Sequence, residues 1–468
     1  MGGVIQLSSS NLSPTLPSFP HASSVESPLV FLTSMSQFND LSHVSVSATL
    51  DDPLPVENRA FSRAPGIQRI DFGILLEIFK LATCVPDDTK LEDVLDTLPR
   101  GYLGRVCREW HNFMVKQPSL WTTIVLPSSI GLLTTSEDHP LMMFLRRSRK
   151  RPLSIYVIPG RPSQRGVGGY TRDGEWAVAD AVSKVGARVR SLVFQARWRS
   201  SIDRLGNTFD PQLYPILNQL TIDASIEDTG RSDVPYLAAI GRSTLTTLSI
   251  DAKYLLTLTS SSRTLFHTIG NITSLTIIDV LPNTAGFPED GMARLMDFTN
   301  SLPRLLSLTF DRFAILEGSL TSERWRHLAT APYPICALTV KNSNATAIGY
   351  LIHRLAPREL MLDECKLTTS SILRLPPSID ALSLSRIRGE DVELSVLPML
   401  SSFVGTHLTV RDCPFVTHHF LHLVLGRARL NLRGIGSPSL HYIQIKDCSG
   451  ADGTREFHWM SGSRKATM

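Results

Sequence analysis

Motifs that announce chemistry are missing from this chain. It has no Gly-x-Ser-x-Gly, no His-Glu-x-x-His and no Gly-rich loop followed by Gly-Lys-Ser/Thr. Nothing therefore points to a nucleophile elbow, a zinc-protease helix or a phosphate cradle. Cysteine is scarce. The six residues, Cys84, Cys107, Cys336, Cys365, Cys413 and Cys448, are scattered without a Cys-x-x-Cys pair. Such spacing suits neither a zinc site nor a small disulfide scaffold, and it fits a reducing compartment. Charge is also sparse, at 19% of residues with a net value of +4 over 468 residues, too little to imply a nucleic-acid surface.

Long apolar runs are absent too. Leu29–Leu32 is far too short to span a bilayer, and the N-terminus lacks the basic start and compact apolar core of a signal peptide. The expectation is an intracellular protein, cytoplasmic and/or nuclear, with no membrane partner. Residues 1–65 hold 14 Ser and 7 Pro, with few charges before Asp51. That composition buries too little apolar surface to offset ordering entropy, so a disordered Ser/Pro-rich segment is expected there.

What is present begins at residue 66. Ile70, Ile74, Leu75, Ile78, Phe79 and Ala82 recur at helical spacing and predict one apolar face on a helix that Pro86 stops. The acidic stretch Pro86–Arg100 reads as a loop. A second helix is expected over Leu103–Val115, carrying Val106, Cys107, Trp110, Phe113 and Met114. Pro118 then opens a turn, and Leu120–Leu126, with Trp121, turns β-like. A helix over Pro140–Arg147, a strand over Leu153–Ile158 and a Gly/Arg-rich loop over Gly160–Gly174 make up a linking region, 128–190.

From 191 to 450 one short motif is used repeatedly, apolar–x–apolar. It occurs at Leu192, Leu220, Leu248, Leu275, Leu308, Leu338, Leu360, Leu382, Leu408 and Ile443, at spacings of 22 to 35 residues. The alternation puts both apolar residues of each strand on one face. Cys365, Cys413 and Cys448 each follow the first apolar position by five residues, where a small side chain can bond the turning backbone. Ser225, Lys253 and Ser343 hold that place in other copies. The period is that of leucine-rich repeats with insertions, units that bury their core only by stacking. Residues 451–468 form a tail.

Ile70–Pro127 resembles an F-box-like domain, and the chain is similar to the F-box and leucine-rich-repeat proteins abundant in mushroom-forming fungi. The resemblance rests on Ile74-Leu75-Leu76-Glu77-Ile78-Phe79, on Val106-Cys107-Arg108-Glu109-Trp110, on Pro118-Ser119-Leu120-Trp121 and on Phe144–Ile155. Where the family opens its first helix with Leu-Pro, this chain has Ile70-Asp71, whose carboxylate can cap the helix start. The resemblance implies an α/β architecture: a small helical F-box, then a leucine-rich-repeat solenoid with parallel strands on a concave face and irregular helices on the convex one. It also implies docking on a Skp-type adaptor and through it a cullin, with the repeats choosing a protein for ubiquitylation.

Two groups of residues follow as candidate sites. Ile70, Ile74, Leu75, Ile78, Phe79, Val106, Cys107, Trp110, Pro118, Leu120 and Trp121 serve adaptor binding or the F-box core. For Trp110 and Trp121 the core role is preferred, since tryptophan is mostly buried. Thr221, Ser249, Thr276, Thr309, Thr339, Ser383 and Thr409 line the concave face for a target protein. They are small neutral hydrogen-bonders, which argues against nucleic acid.

No cofactor and no metal are expected. His418-His419-x-x-His422 has metal-like spacing but no Glu or Cys to complete it, and a hydrolase built on it is the remotest alternative. Arg146–Arg151 reads as a helix end before a nuclear address, and Gly166–Gly169 as a flexible loop. The main rival is a leucine-rich-repeat scaffold whose F-box survives only as a folding cap, with no ligase role.

Overall fold

Each apolar–x–apolar motif becomes a strand, and the strands stack in chain order. The computed structural model describes residues 71–83, 103, 106–128, 140–159, 172–205, 213–226, 244–261, 270–282, 287, 290–315, 335–368, 373–389, 392–417, 420, 422, 440–448 and 456–460. The expectations for residues 1–65, Ile70, the Pro86–Arg100 loop, Gly166–Gly169, His418 and His419 lie outside them.

The first half contains α1 (Phe72–Thr83), α2 (Arg108–Lys116), a 3-10 turn (Pro118–Trp121), β1 (Thr123–Pro127), α3 (Pro140–Ser148), β2 (Leu153–Ile158), α4 (Arg172–Ser183), β3 (Val189–Trp198), α5 (Arg199–Leu205), β4 (Gln219–Ile226), β5 (Thr247–Asp251) and α6 (Ala252–Ser261). The second half contains β6 (Ser274–Ile278), α7 (Gly291–Asn300), β7 (Ser307–Asp311), β8 (Ala337–Lys341), α8 (Ala345–Leu355), β9 (Glu359–Asp363), β10 (Ala381–Ser385), α9 (Val392–Ser402), β11 (His407–Arg411), β12 (Tyr442–Lys446) and β13 (Glu456–Met460). Among the described residues 13 strands form one sheet in the order β1 to β13. The first 12 are parallel, each to the next, and β13 turns back antiparallel on β12. The fold is therefore α/β, with a solenoid-like succession of parallel strands.

Parallel pairing starts well before residue 191. Ile124-Val125-Leu126 and Ile155-Tyr156-Val157 carry the same alternation and form β1 and β2, which the sequence reading divided between the helical module and the linking region. The tail also contributes a strand, β13, paired from Tyr442↔Met460 to Lys446↔Glu456.

The register is strict. Ile124, Ile155, Leu192, Leu220, Leu248, Leu275, Leu308, Leu338, Leu360, Leu382, Leu408 and Ile443 form one continuous row across the sheet. None is more than 2% exposed. Burial of each such side chain contributes roughly 1.5–3 kcal/mol against the entropy of ordering it. A one-residue slip would turn the whole row to solvent, so the pattern itself fixes the pairing.

Every strand from β6 to β12 ends in the same turn. Asp279, Arg312, Asn342, Glu364, Arg386, Asp412 and Asp447 all have positive φ, between 50° and 56°. Each lies four residues after the first apolar residue of its motif. The first six donate their N–H to the carbonyl of the residue that ends the next strand, at 3.0 Å: Asp279 to Asp311, Arg312 to Lys341, and so on to Asp412 and Lys446. The left-handed residue thus adds one more rung to the backbone ladder. For side chains other than Gly, Asn and Asp, that conformation costs about 1–2 kcal/mol, so the ladder must impose it on Arg312, Glu364 and Arg386.

The next residue points inward. The Cys365 thiol donates to the carbonyls of Val340 (3.2 Å) and Asp363 (3.4 Å), Cys413 to that of Arg411 (3.2 Å) and Cys448 to that of Lys446 (3.4 Å). Ser343 does the same work, donating to the Lys341 carbonyl at 2.7 Å and accepting from Phe313 N–H at 3.2 Å. Burial pushes the thiols of Cys365 and Cys413 up to about 12 and that of Cys448 up as well. They are protonated donors, not nucleophiles.

Candidate functional site

The helical module is built from two capped helices. Asp71 starts α1, its carboxylate accepting from Gly73 N–H at 2.7 Å while its carbonyl takes the Leu75 N–H at 2.9 Å. Cys107 starts α2, its sulfur accepting from Trp110 N–H at 3.5 Å. The Val-Cys-x-x-Trp signature is therefore, locally, a helix cap three residues before its acceptor's partner.

Phe79 is fully buried between the rings of Trp110 (4.8 Å, edge to face) and Phe113 (5.6 Å). Trp121, in the 3-10 turn, donates its indole N–H to the Met114 carbonyl at 2.8 Å. Its ring meets Phe144 of α3 edge to face at 5.4 Å, and the Arg147 guanidinium lies over it at 4.3 Å. Part of the arginine run thus closes the core. The buried side chains of α1, α2 and the turn are continuous with those of the sheet.

The single apolar face expected on α1 is two faces. Leu75 and Phe79 point inward, whereas Ile74 and Ile78 are 59% and 44% exposed. Leu81 continues the outer stripe one helical turn on, and Phe72 and Val106 are exposed as well. Ile74 and Ile78 fall outside the buried face because a helix with apolar residues at adjacent positions, Ile74-Leu75 and Ile78-Phe79, carries more than one apolar stripe. Of the other candidates, Leu120 and Trp121 are core, while Cys107, Trp110 and Pro118 are half-buried. Between α1 and α2 an open groove of about 580 Å³ is lined by Phe72, Leu76, Phe113, Glu109, Asn112 and Lys116.

The second surface is the open face of the sheet. The pairing brings Thr221, Ser249, Thr276, Thr309 and Thr339 side by side on β4 to β8, then Met361, then Ser383 and Thr409 on β10 and β11. All seven expected hydroxyl residues are half-buried. The same row also includes Val125, Tyr156 and Val193 at one end and Gln444 at the other, which sequence reasoning did not assign. The shared alternation of β1 and β2 was the signal for the first two.

That row carries no charge, but the row two residues further along the strands does. Asp223, Asp251, Asp311, Lys341, Asp363, Arg411 and Lys446 stand in it, interrupted by Ile278 and Ser385. Arg199 forms a buried ion pair with Asp251, whose carboxylate also caps α6 by accepting from Tyr254 N–H at 3.1 Å. Arg312 grips Asp279 with two bonds of 2.6 and 2.9 Å and reaches Asp223 at 3.4 Å. Arg386 holds Asp363 in the same two-pronged way, at 3.0 and 2.6 Å. Burial pushes the Asp223 carboxyl up; Arg312 opposes this and the neighbouring Asp279 and Asp251 add to it.

Among the described residues no three of His, Cys, Asp and Glu group as a metal site, and no helix is long and apolar enough to cross a membrane. His422 is exposed. No family model matches the chain, and no curated protein matches it.

Proposed function

We propose that this protein is the substrate-recognition subunit of a cullin–RING ubiquitin ligase, intracellular and without catalysis of its own. The helical module is an F-box that docks on a Skp-type adaptor, and the strands form a leucine-rich-repeat array whose open face binds the target protein. The observation that carries the reading is the division of labour on α1. Leu75 and Phe79 build the core, which leaves Ile74, Ile78 and Leu81 as an exposed apolar stripe. A stripe of large apolar side chains is costly to leave in water and marks a surface for a partner. A helix offering such anchors to an apolar groove is a common recognition mode.

The resemblance of Val106–Trp110 and Pro118–Trp121 to the family signature names the partner class. The test is co-purification of the tagged full chain with a Skp-type adaptor and cullin from cells. Stoichiometric recovery of the adaptor is expected, and a folded, target-competent protein that never recovers it would overturn the reading.

One observation favours a second reading, a repeat scaffold with the module as a folding cap. The core runs without a break from α1 and α2 into β1, as a terminal cap requires. On that reading adaptor recovery is nil, and the outer stripe of α1 is indifferent to substitution.

A further inference from the structure

We draw no further inference here: the strongest candidate, the carboxylate cluster of Asp223 within β4 and Asp279 and Asp311 at the ends of β6 and β7, is already bonded to Arg312 and Asn342, and no second observation points to a ligand there.

Discussion

The indole N–H of Trp121 lies 2.8 Å from the carbonyl oxygen of Met114, and this bond joins the end of α2 to the turn that feeds the first strand. It gives that carbonyl, which also accepts the Gln117 N–H at 3.1 Å at the end of the helix, a second donor. Trp121→Phe keeps a ring against Phe144 but removes the donor, and is expected to cost about 0.5–1.5 kcal/mol. Trp121→Ala also opens a cavity beside Phe144 and Arg147, and is expected to cost about 3–5 kcal/mol. Denaturant unfolding followed by tryptophan fluorescence and by far-UV dichroism measures both. Because one core serves the helices and the sheet, the two probes should move together; separate transitions would show that the module folds independently.

The outer stripe of α1 separates function from stability. Ile74→Glu with Ile78→Glu changes only exposed side chains, and the unfolding midpoint should shift by no more than about 0.5 kcal/mol per site. Adaptor recovery in the co-purification should fall at least about tenfold, since burying an unpaired carboxylate in an apolar contact costs more than 1.4 kcal/mol. Leu75→Glu, which buries a charge in the core, should lose stability and adaptor recovery together. Full adaptor recovery by the double variant would remove α1 from the interface.

Much of the array was legible because one rule, apolar–x–apolar, generates it. Leu192 to Ile443 were read as strands from alternation alone, and their inward row is what the structure shows. Ile124 and Ile155 obey the same rule and were read in β segments, but these were assigned to the helical module and the linking region instead of the array. The left-handed turns were not legible. Asp279 and Asn342 are residues that favour such turns, yet Arg312, Glu364 and Arg386 are not. There the conformation is imposed by a hydrogen bond to the next strand, which exists only once the strands have stacked. For the same reason the open face was read as neutral: its Ser and Thr row was visible, while the charged residues two positions on come side by side only once the strands are in register. On α1, composition shows how apolar the helix is and not which residues find a partner.

The inward Cys residues should behave as structural donors. Because Ser343 makes the equivalent bond, Cys413→Ser should be tolerated within about 1 kcal/mol, whereas Cys413→Ala, which removes the thiol donor while the Arg411 carbonyl keeps the Arg386 N–H, should cost about 0.5–1.5 kcal/mol more than the serine variant. Reactivity follows from burial. At pH 8 a thiol reagent should label exposed Cys336 in the folded protein, while Cys365 and Cys413, pushed up to about 12, label only on unfolding. Peptide mapping by mass spectrometry reads the order. Native labelling of Cys413 as fast as Cys336 would contradict the inward placement.

Asp223 supplies the pH test. Its carboxyl is raised by burial in spite of Arg312 at 3.4 Å, so the folded chain holds that proton more tightly than the unfolded one. Between the ordinary aspartate value and the raised one the native state therefore binds more protons, and stability from this group falls as pH rises. Above the raised value the penalty is complete and constant. Asp223→Asn removes the charge and keeps a group that can bond its neighbours. It should make the protein more stable than the parent at pH 7, with the gain shrinking as pH falls toward the ordinary aspartate range. Urea unfolding of both proteins from pH 4 to 7 measures the difference. A variant less stable than the parent at neutral pH would mean that attraction to Arg312 outweighs burial, and would reverse the assigned direction.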